Sequence, residues 1–75
     1  MAGLVMMAVA AAQADCRTRD HTADFVAGRG LIAQVGDTNP ALRRLVAELY
    51  ADAYDRLVAG WTVDAILAHL DERAA

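Results

Sequence analysis

The clearest periodicity in the chain lies between residues 40 and 59. Apolar side chains recur there at steps of three and four residues, which places them on one face of an α-helix: Leu42, Leu45, Val46, Leu49, Ala53 and Leu57. The opposite face carries Arg43, Arg44, Glu48, Asp52, Asp55 and Arg56, with Arg44–Glu48 and Asp52–Arg56 spaced for ion pairs. Asn39 suits the N-cap, Pro40 the first helical position and Gly60 the stop. The pattern predicts a helix from about Pro40 to Ala59, the longest in the chain.

A shorter amphipathic segment follows Trp61. Thr62 suits an N-cap, and Asp64 would lie in the first turn, where the helix dipole favours a negative charge. The apolar positions of this segment share one face, namely Val63, Ile66, Leu67 and Leu70. We expect a last helix over about residues 63–72 and a polar tail at residues 71–75 that frays. His69 is expected at the surface of this helix.

Residues 22–36 predict a helix that contains two glycines. Thr22 is the expected N-cap, Phe25 falls in the first turn, and Gly36 suits the C-terminal end. The apolar set is Phe25, Val26, Leu31, Ile32 and Val35. Gly28 and Gly30 weaken a helix interior, so they mark a kink, a flexible turn or a close contact with a neighbouring helix. They are not a dinucleotide fingerprint, because the third glycine and the preceding strand are missing.

The N-terminal run from Gly3 to Ala12 is apolar and uncharged. It is shorter than the roughly 20 residues that span a bilayer. One interpretation is a buried first helix that ends between Asp15 and His21, with side chains in a core or an interface: Leu4, Val5, Met6, Met7 and Val9. The alternative is a signal peptide cleaved near Ala14, although no Lys or Arg precedes the run.

Together these segments predict a single all-α domain over residues 1–75, a small bundle of three to four helices. The chain is 57% hydrophobic, and much of that figure is alanine, which suits close helix packing more than sheet. No useful stretch alternates with period two, so no strand is expected. A chain this short cannot easily bury so much apolar helical surface by itself. We therefore expect a second copy or another protein to cover part of that surface.

Residues that could carry chemistry are sparse. Serine is absent, and Cys16 is the single cysteine, so no intrachain disulfide can form. Cys16 and His21 are five residues apart, which is poor spacing for contact on a helix. Cys16, Asp20, His21 and Asp24 lack the close Cys or His pairs of structural zinc sites. We therefore predict no catalytic, metal or cofactor site and no enzyme activity.

Two resemblances concern the C-terminal segment. Residues 57–70 resemble the first half of a helix-turn-helix unit, whose basic recognition helix would follow; here Asp64, Asp71 and Glu72 would instead face phosphates. Residues 62–71 also resemble the C-terminal docking segments of modular polyketide synthases, with a threonine cap, an early acid and a late Leu-Asp pair. The second resemblance implies protein binding, and no site residue is carried over from it.

The charge balance bears on the partner. The chain has a net charge of −3 and no basic stripe, so we do not expect it to bind nucleic acid. We expect a non-catalytic, cytoplasmic interaction module or homodimer, with Tyr50, Tyr54 and Trp61 as partner contacts and no small-molecule substrate. The alternatives are a helix-turn-helix-like DNA-binding regulator and a small secreted helical protein. Seven Arg without Lys suggest an actinobacterial or phage origin, a statement about codon usage.

Overall fold

A computed structural model describes residues 2–17, 25–37 and 39–74. These residues form four helices and no strand, in agreement with the predicted all-α bundle. The helices are α1 (Ala2–Arg17), α2 (Val26–Gly36), α3 (Pro40–Val58) and α4 (Val63–Ala74). The proposed N-cap Thr22 lies outside the described residues.

The core lies where α1 packs against α3. Helix α1 contacts all three other helices, α4 packs on α1 and α3, and α2 lies on α1 and α3 without touching α4. Buried side chains come from all four helices: Val5, Ala8, Val9, Ala11, Ala12, Leu31, Val46, Leu49, Tyr50, Ala53, Ile66 and Leu70. The Cα trace is only 14 Å thick in its shortest direction, about the depth of two stacked helices. No helix is therefore enclosed on every side.

Helix α3 follows its predicted pattern closely. The Asn39 side chain accepts hydrogen bonds from the backbone N–H groups of Ala41 and Leu42 at 3.0 and 3.4 Å, and Pro40 is the first helical residue. Gly60 adopts φ +97°, a left-handed conformation that ends the helix cheaply because glycine has no Cβ. The predicted pair Asp52–Arg56 forms, whereas Glu48 lies 3.8 Å from Arg73 rather than pairing with Arg44.

The start of α2 differs from the prediction. Phe25 is the N-cap residue rather than part of the first turn; it adopts a left-handed φ of 57° and offers no side-chain cap. Phe25 and Val26 are also exposed, so the inward apolar set reduces to Leu31, Ile32 and Val35. The segment around Gly28 and Gly30 is continuous helix, and the flexible turn considered for it is wrong.

Helix α4 begins and ends with side-chain hydrogen bonds. The Thr62 hydroxyl accepts a hydrogen bond from the backbone N–H of Ala65 at 3.2 Å, as its predicted capping role requires. At the other end the helix continues to Ala74, because Arg73 donates to Asp52 of α3 at 2.8 Å. The expected fraying from residue 71 onward is therefore wrong for residues 71–74.

The two interior glycines of α2, Gly28 and Gly30, differ in their surroundings and provide a matched test. A Cβ on Gly28 would lie 2.4 Å from the ring of Tyr50, whereas a Cβ on Gly30 would meet nothing within 4 Å. Urea denaturation should show that Gly30→Ala stabilises the fold by about 0.5–1 kcal/mol, since alanine favours the helix interior. Gly28→Ala should destabilise it by roughly 1–3 kcal/mol through overpacking. Equal stability of the two variants would contradict the close packing of α2 on α3.

Candidate functional site

Asp15 is a buried charged residue that forms hydrogen bonds with two other helices. Its carboxylate is 5% exposed and lies at the inner side of α1. One oxygen, Oδ1, accepts a hydrogen bond from the N–H of Ala27 at 2.9 Å; the other, Oδ2, accepts from the N–H of Gly28 at 2.9 Å and from the Tyr50 hydroxyl at 2.5 Å. A carboxylate of α1 thereby binds both α2 and α3.

These contacts make Asp15 a remote cap for α2. The first N–H groups of a helix have no intrahelical partner, and the N-cap side chain of Phe25 cannot accept a hydrogen bond. Asp15 supplies the missing acceptor to the second and third helical residues, and its negative charge lies at the positive end of the α2 dipole. Gly28 is suited to this place because any Cβ would displace the Tyr50 ring.

The ionisation of this pair follows from the same contacts. Burial by itself raises the pKa of Asp15, but hydrogen bonds from Tyr50, Gly28 and Ala27 outweigh it and lower the pKa below the ordinary 3.8. Burial and the hydrogen bond to Asp15 raise the pKa of Tyr50 above its ordinary value of 10.0. Asp15 is thus an anion and Tyr50 a neutral donor at physiological pH.

A second polar group, the Asp52 cluster, joins α3 to α4. Asp52 accepts hydrogen bonds from Arg56 Nε at 2.6 Å, from Arg73 at 2.8 Å and from His69 Nε2 at 3.1 Å. Burial raises the pKa of Asp52, and these three donors bring it below the ordinary value. His69 is therefore half-buried and hydrogen-bonded rather than a free surface residue.

Trp61 borders this cluster at the α3–α4 turn. The Arg56 guanidinium lies over its ring at 4.4 Å from the centroid, and His69 meets it edge to face at 5.9 Å. The indole is still 41% exposed. Of the three residues predicted as partner contacts, Trp61 thus remains accessible but already has one face covered by Arg56.

The other two predicted contacts, Tyr50 and Tyr54, lie on α3 beneath Phe25. Tyr50 is buried, and its hydroxyl donates a hydrogen bond to Asp15. We therefore do not propose Tyr50 by itself as a contact for a partner protein. Tyr54 is half-buried between the rings of Phe25, at a centroid distance of 5.3 Å, and Tyr50, at 6.1 Å. Beside these rings is a half-open pocket of about 330 Å³, lined by Phe25, Tyr50, Ala51, Tyr54 and Asp55. We call it the aromatic pocket.

The outer side of α1 exposes two large apolar side chains. Met6 is 62% and Met7 43% exposed, and the neighbouring outward positions are Gly3 and Ala10. These four residues, which we call the α1 face, follow helical spacing. No charged residue occurs between Ala2 and Ala14, so no charged side chain of α1 itself borders them along that length.

His69 contacts Asp52 and Trp61, and the chain has no serine. Cys16 is half-buried, while His21 and the other suggested zinc ligands Asp20 and Asp24 lie outside the described residues. Over the described ranges no three His, Cys, Asp or Glu side chains are positioned to hold a metal ion. Nor does any described helix combine the length and apolar character needed to cross a bilayer.

Sequence reasoning missed the role of Asp15 and the pairing of Phe25 with Tyr54. A signal for Asp15 was present: Val5, Ala8, Ala12 and Asp15 are spaced by three and four residues, which places them on one face. The apolar residues on every side of α1 hid which face was the inner one. No local sequence signal marks Phe25 as a left-handed N-cap.

Comparisons with models of known families, with curated proteins and with solved structures find no match.

The Asp15 contacts predict a specific acid sensitivity. A carboxylate whose pKa is lowered by folding stabilises the protein fully above about pH 4, and this stabilisation is lost as the pH falls below that value. Urea denaturation from pH 7 to pH 2 should show Asp15→Asn destabilised by about 3 kcal/mol at pH 7. The variant should also lose less stability on acidification than the parent protein, with the remaining loss due partly to Asp52.

The exposed Asp71 provides the control. Asp71→Asn should follow the parent protein at every pH to within about 0.5 kcal/mol. If Asp15→Asn also follows the parent protein, the carboxylate does not hold the three helices together.

Proposed function

We propose that this protein is a non-catalytic helical interaction module that self-associates through the α1 face. The observation that carries the proposal is the exposure of Met6 and Met7 on a helix without charges over most of its length. A helix that is apolar on all sides is normally covered by its surroundings. The bundle is two helices deep, so the outer side of α1 has no covering from the described helices.

A second copy is the occupant that this face fits best. Gly3 and Ala10 lie at equal distances along the chain on either side of Met6 and Met7. In an antiparallel pair about a two-fold axis, Gly3 of one copy lies opposite Ala10 of the other, and the methionines lie over these small residues. Methionine adapts to such irregular surfaces. The contact also brings together no like charges, although the whole chain carries −3.

The DNA-binding alternative has less support from the charges. Arg56 and Arg73 are committed to Asp52, and α4 presents Asp64, Asp71 and Glu72 to solvent. These carboxylates would repel phosphates along the helix that the helix-turn-helix resemblance would place next to DNA. We therefore favour a protein surface as the partner.

The secreted alternative would remove the proposed interface. Cleavage near Ala14 takes away the α1 face together with the buried Val5, Ala8, Val9 and Ala12. The remaining helices would lose a large part of their core. We therefore propose that the working protein retains α1, and we keep the cytoplasm as its proposed location.

Self-association can be tested with matched charge insertions on two exposed apolar sites. Val58 at the end of α3 is 51% exposed and lies outside the α1 face. Light scattering with size-exclusion chromatography should find the parent protein and Val58→Arg dimeric. Met6→Arg should be monomeric with unchanged helical circular dichroism, because two buried like charges would face each other.

Two results would contradict the proposal. One is a parent protein that stays monomeric at about 1 mM, where a dimer with an association free energy near −4 kcal/mol would be half formed. The other is an equal loss of dimer in Met6→Arg and Val58→Arg, which would show that the α1 face is not the contact.

A further inference from the structure

We infer that the aromatic pocket binds an arginine side chain presented by a partner polypeptide. The aromatic residues Phe25, Tyr50 and Tyr54 line the pocket together with Ala51 and the exposed acidic residue Asp55. A ring face attracts a cation through its quadrupole, and a carboxylate attracts the same cation and accepts its hydrogen bonds. This site is separate from the α1 face and goes beyond the proposed self-association.

The pocket is large enough to accept a single long side chain. Its volume of about 330 Å³ lies at the lower end of the range for ligand pockets, roughly 300–1,000 Å³. Phe25 and Tyr54 meet at an interplanar angle of 69°, so together they form a corner with two differently oriented aromatic surfaces. A planar guanidinium can stack on one ring while its stem lies along the other.

Asp55 is the one charged residue among those that line the pocket. Asp55 forms no ion pair with any other described residue, whereas Asp52, three positions earlier on the same helix, has three donors. The carboxylate is therefore available to an incoming positive charge, as far as the described part of the chain is concerned. The carboxylate would repel an anionic occupant, and a neutral occupant would gain a weaker hydrogen bond from it than a cation does.

The same molecule already binds an arginine in this way. Arg56 lies 4.4 Å above the Trp61 ring and donates its Nε–H to Asp52 at 2.6 Å. The aromatic pocket repeats this combination of an aromatic face and a neighbouring carboxylate, with no arginine among its lining residues. We therefore choose arginine over lysine, whose more strongly hydrated ammonium stacks less well on a ring.

The backbone of Phe25 is a further reason to consider this place functional. A left-handed φ of 57° is unfavourable for a bulky aromatic residue, and such strain persists where the surroundings enforce it. Here the hydrogen bonds of Asp15 to the next turn hold the start of α2, and the Phe25 ring is placed against Tyr54 while about half of it stays exposed. Strained residues of this kind are enriched at ligand-binding positions.

The test is an NMR titration of the full chain with N-acetyl-arginine methylamide, followed at the aromatic side-chain signals. We expect saturable shifts at Phe25 and Tyr54, weaker binding of the lysine analogue, and no saturable shift with the neutral citrulline analogue. Asp55→Asn should raise the dissociation constant about tenfold. Asp71→Asn, on a helix that does not touch α2, should change it less than about twofold.

Substitutions of Tyr54 test the role of the ring, and Met6→Arg tests arginine binding in the absence of self-association. Tyr54→Phe keeps the ring and should bind like the parent protein, whereas Tyr54→Leu should lose binding while keeping its helical circular dichroism. Met6→Arg should bind arginine normally, so this inference and the proposed self-association can fail separately. Equal binding of the citrulline analogue, or no saturable shift up to about 50 mM arginine analogue, would overturn the inference.

Discussion

The hydrogen bonds of Asp15 couple the three helices that make up most of this bundle. A buried carboxylate is expensive unless every lone pair that needs a partner has one. Here two backbone N–H groups of α2 and the hydroxyl of Tyr50 on α3 satisfy it. Each partner also gains, because the N-cap residue Phe25 offers no side-chain acceptor to the start of α2 and a buried tyrosine hydroxyl needs one. Removing the carboxylate leaves donors on two helices without an acceptor.

The same contacts determine what the protein presents to its surroundings. With Asp15 held on the inner side of α1, the opposite side of that helix, including Met6 and Met7, lies at the surface. With the first turn of α2 held at Asp15, Phe25 is placed outside the helix and against Tyr54. The proposed contact between copies, on α1, and the inferred arginine site, on α2 and α3, thus both depend on the buried carboxylate of Asp15.

Local sequence patterns were sufficient to predict where the helices lie in the chain. They were insufficient to predict the contacts between the helices. Asn39, Pro40 and Gly60 determine the limits of α3 through capping and backbone preferences that act within a few residues, so the predicted and observed helices agree. The Tyr50–Asp15 hydrogen bond joins residues 35 positions apart, and no periodicity encodes such a pairing. The helical position predicted for Phe25 was wrong for a similar reason, since the hydrogen bonds that satisfy the following turn of α2 come from Asp15 on another helix.

The most direct measurement of the Asp15 cap is native-state hydrogen exchange at the amides of Ala27 and Gly28. These N–H groups belong to the first turn of a helix, where amides normally lack intrahelical partners and exchange readily. Because both donate to a buried carboxylate, we expect them to exchange as slowly as the amides in the middle of α3. Exchange at the rate of an unstructured peptide, with α3 still protected, would contradict the account.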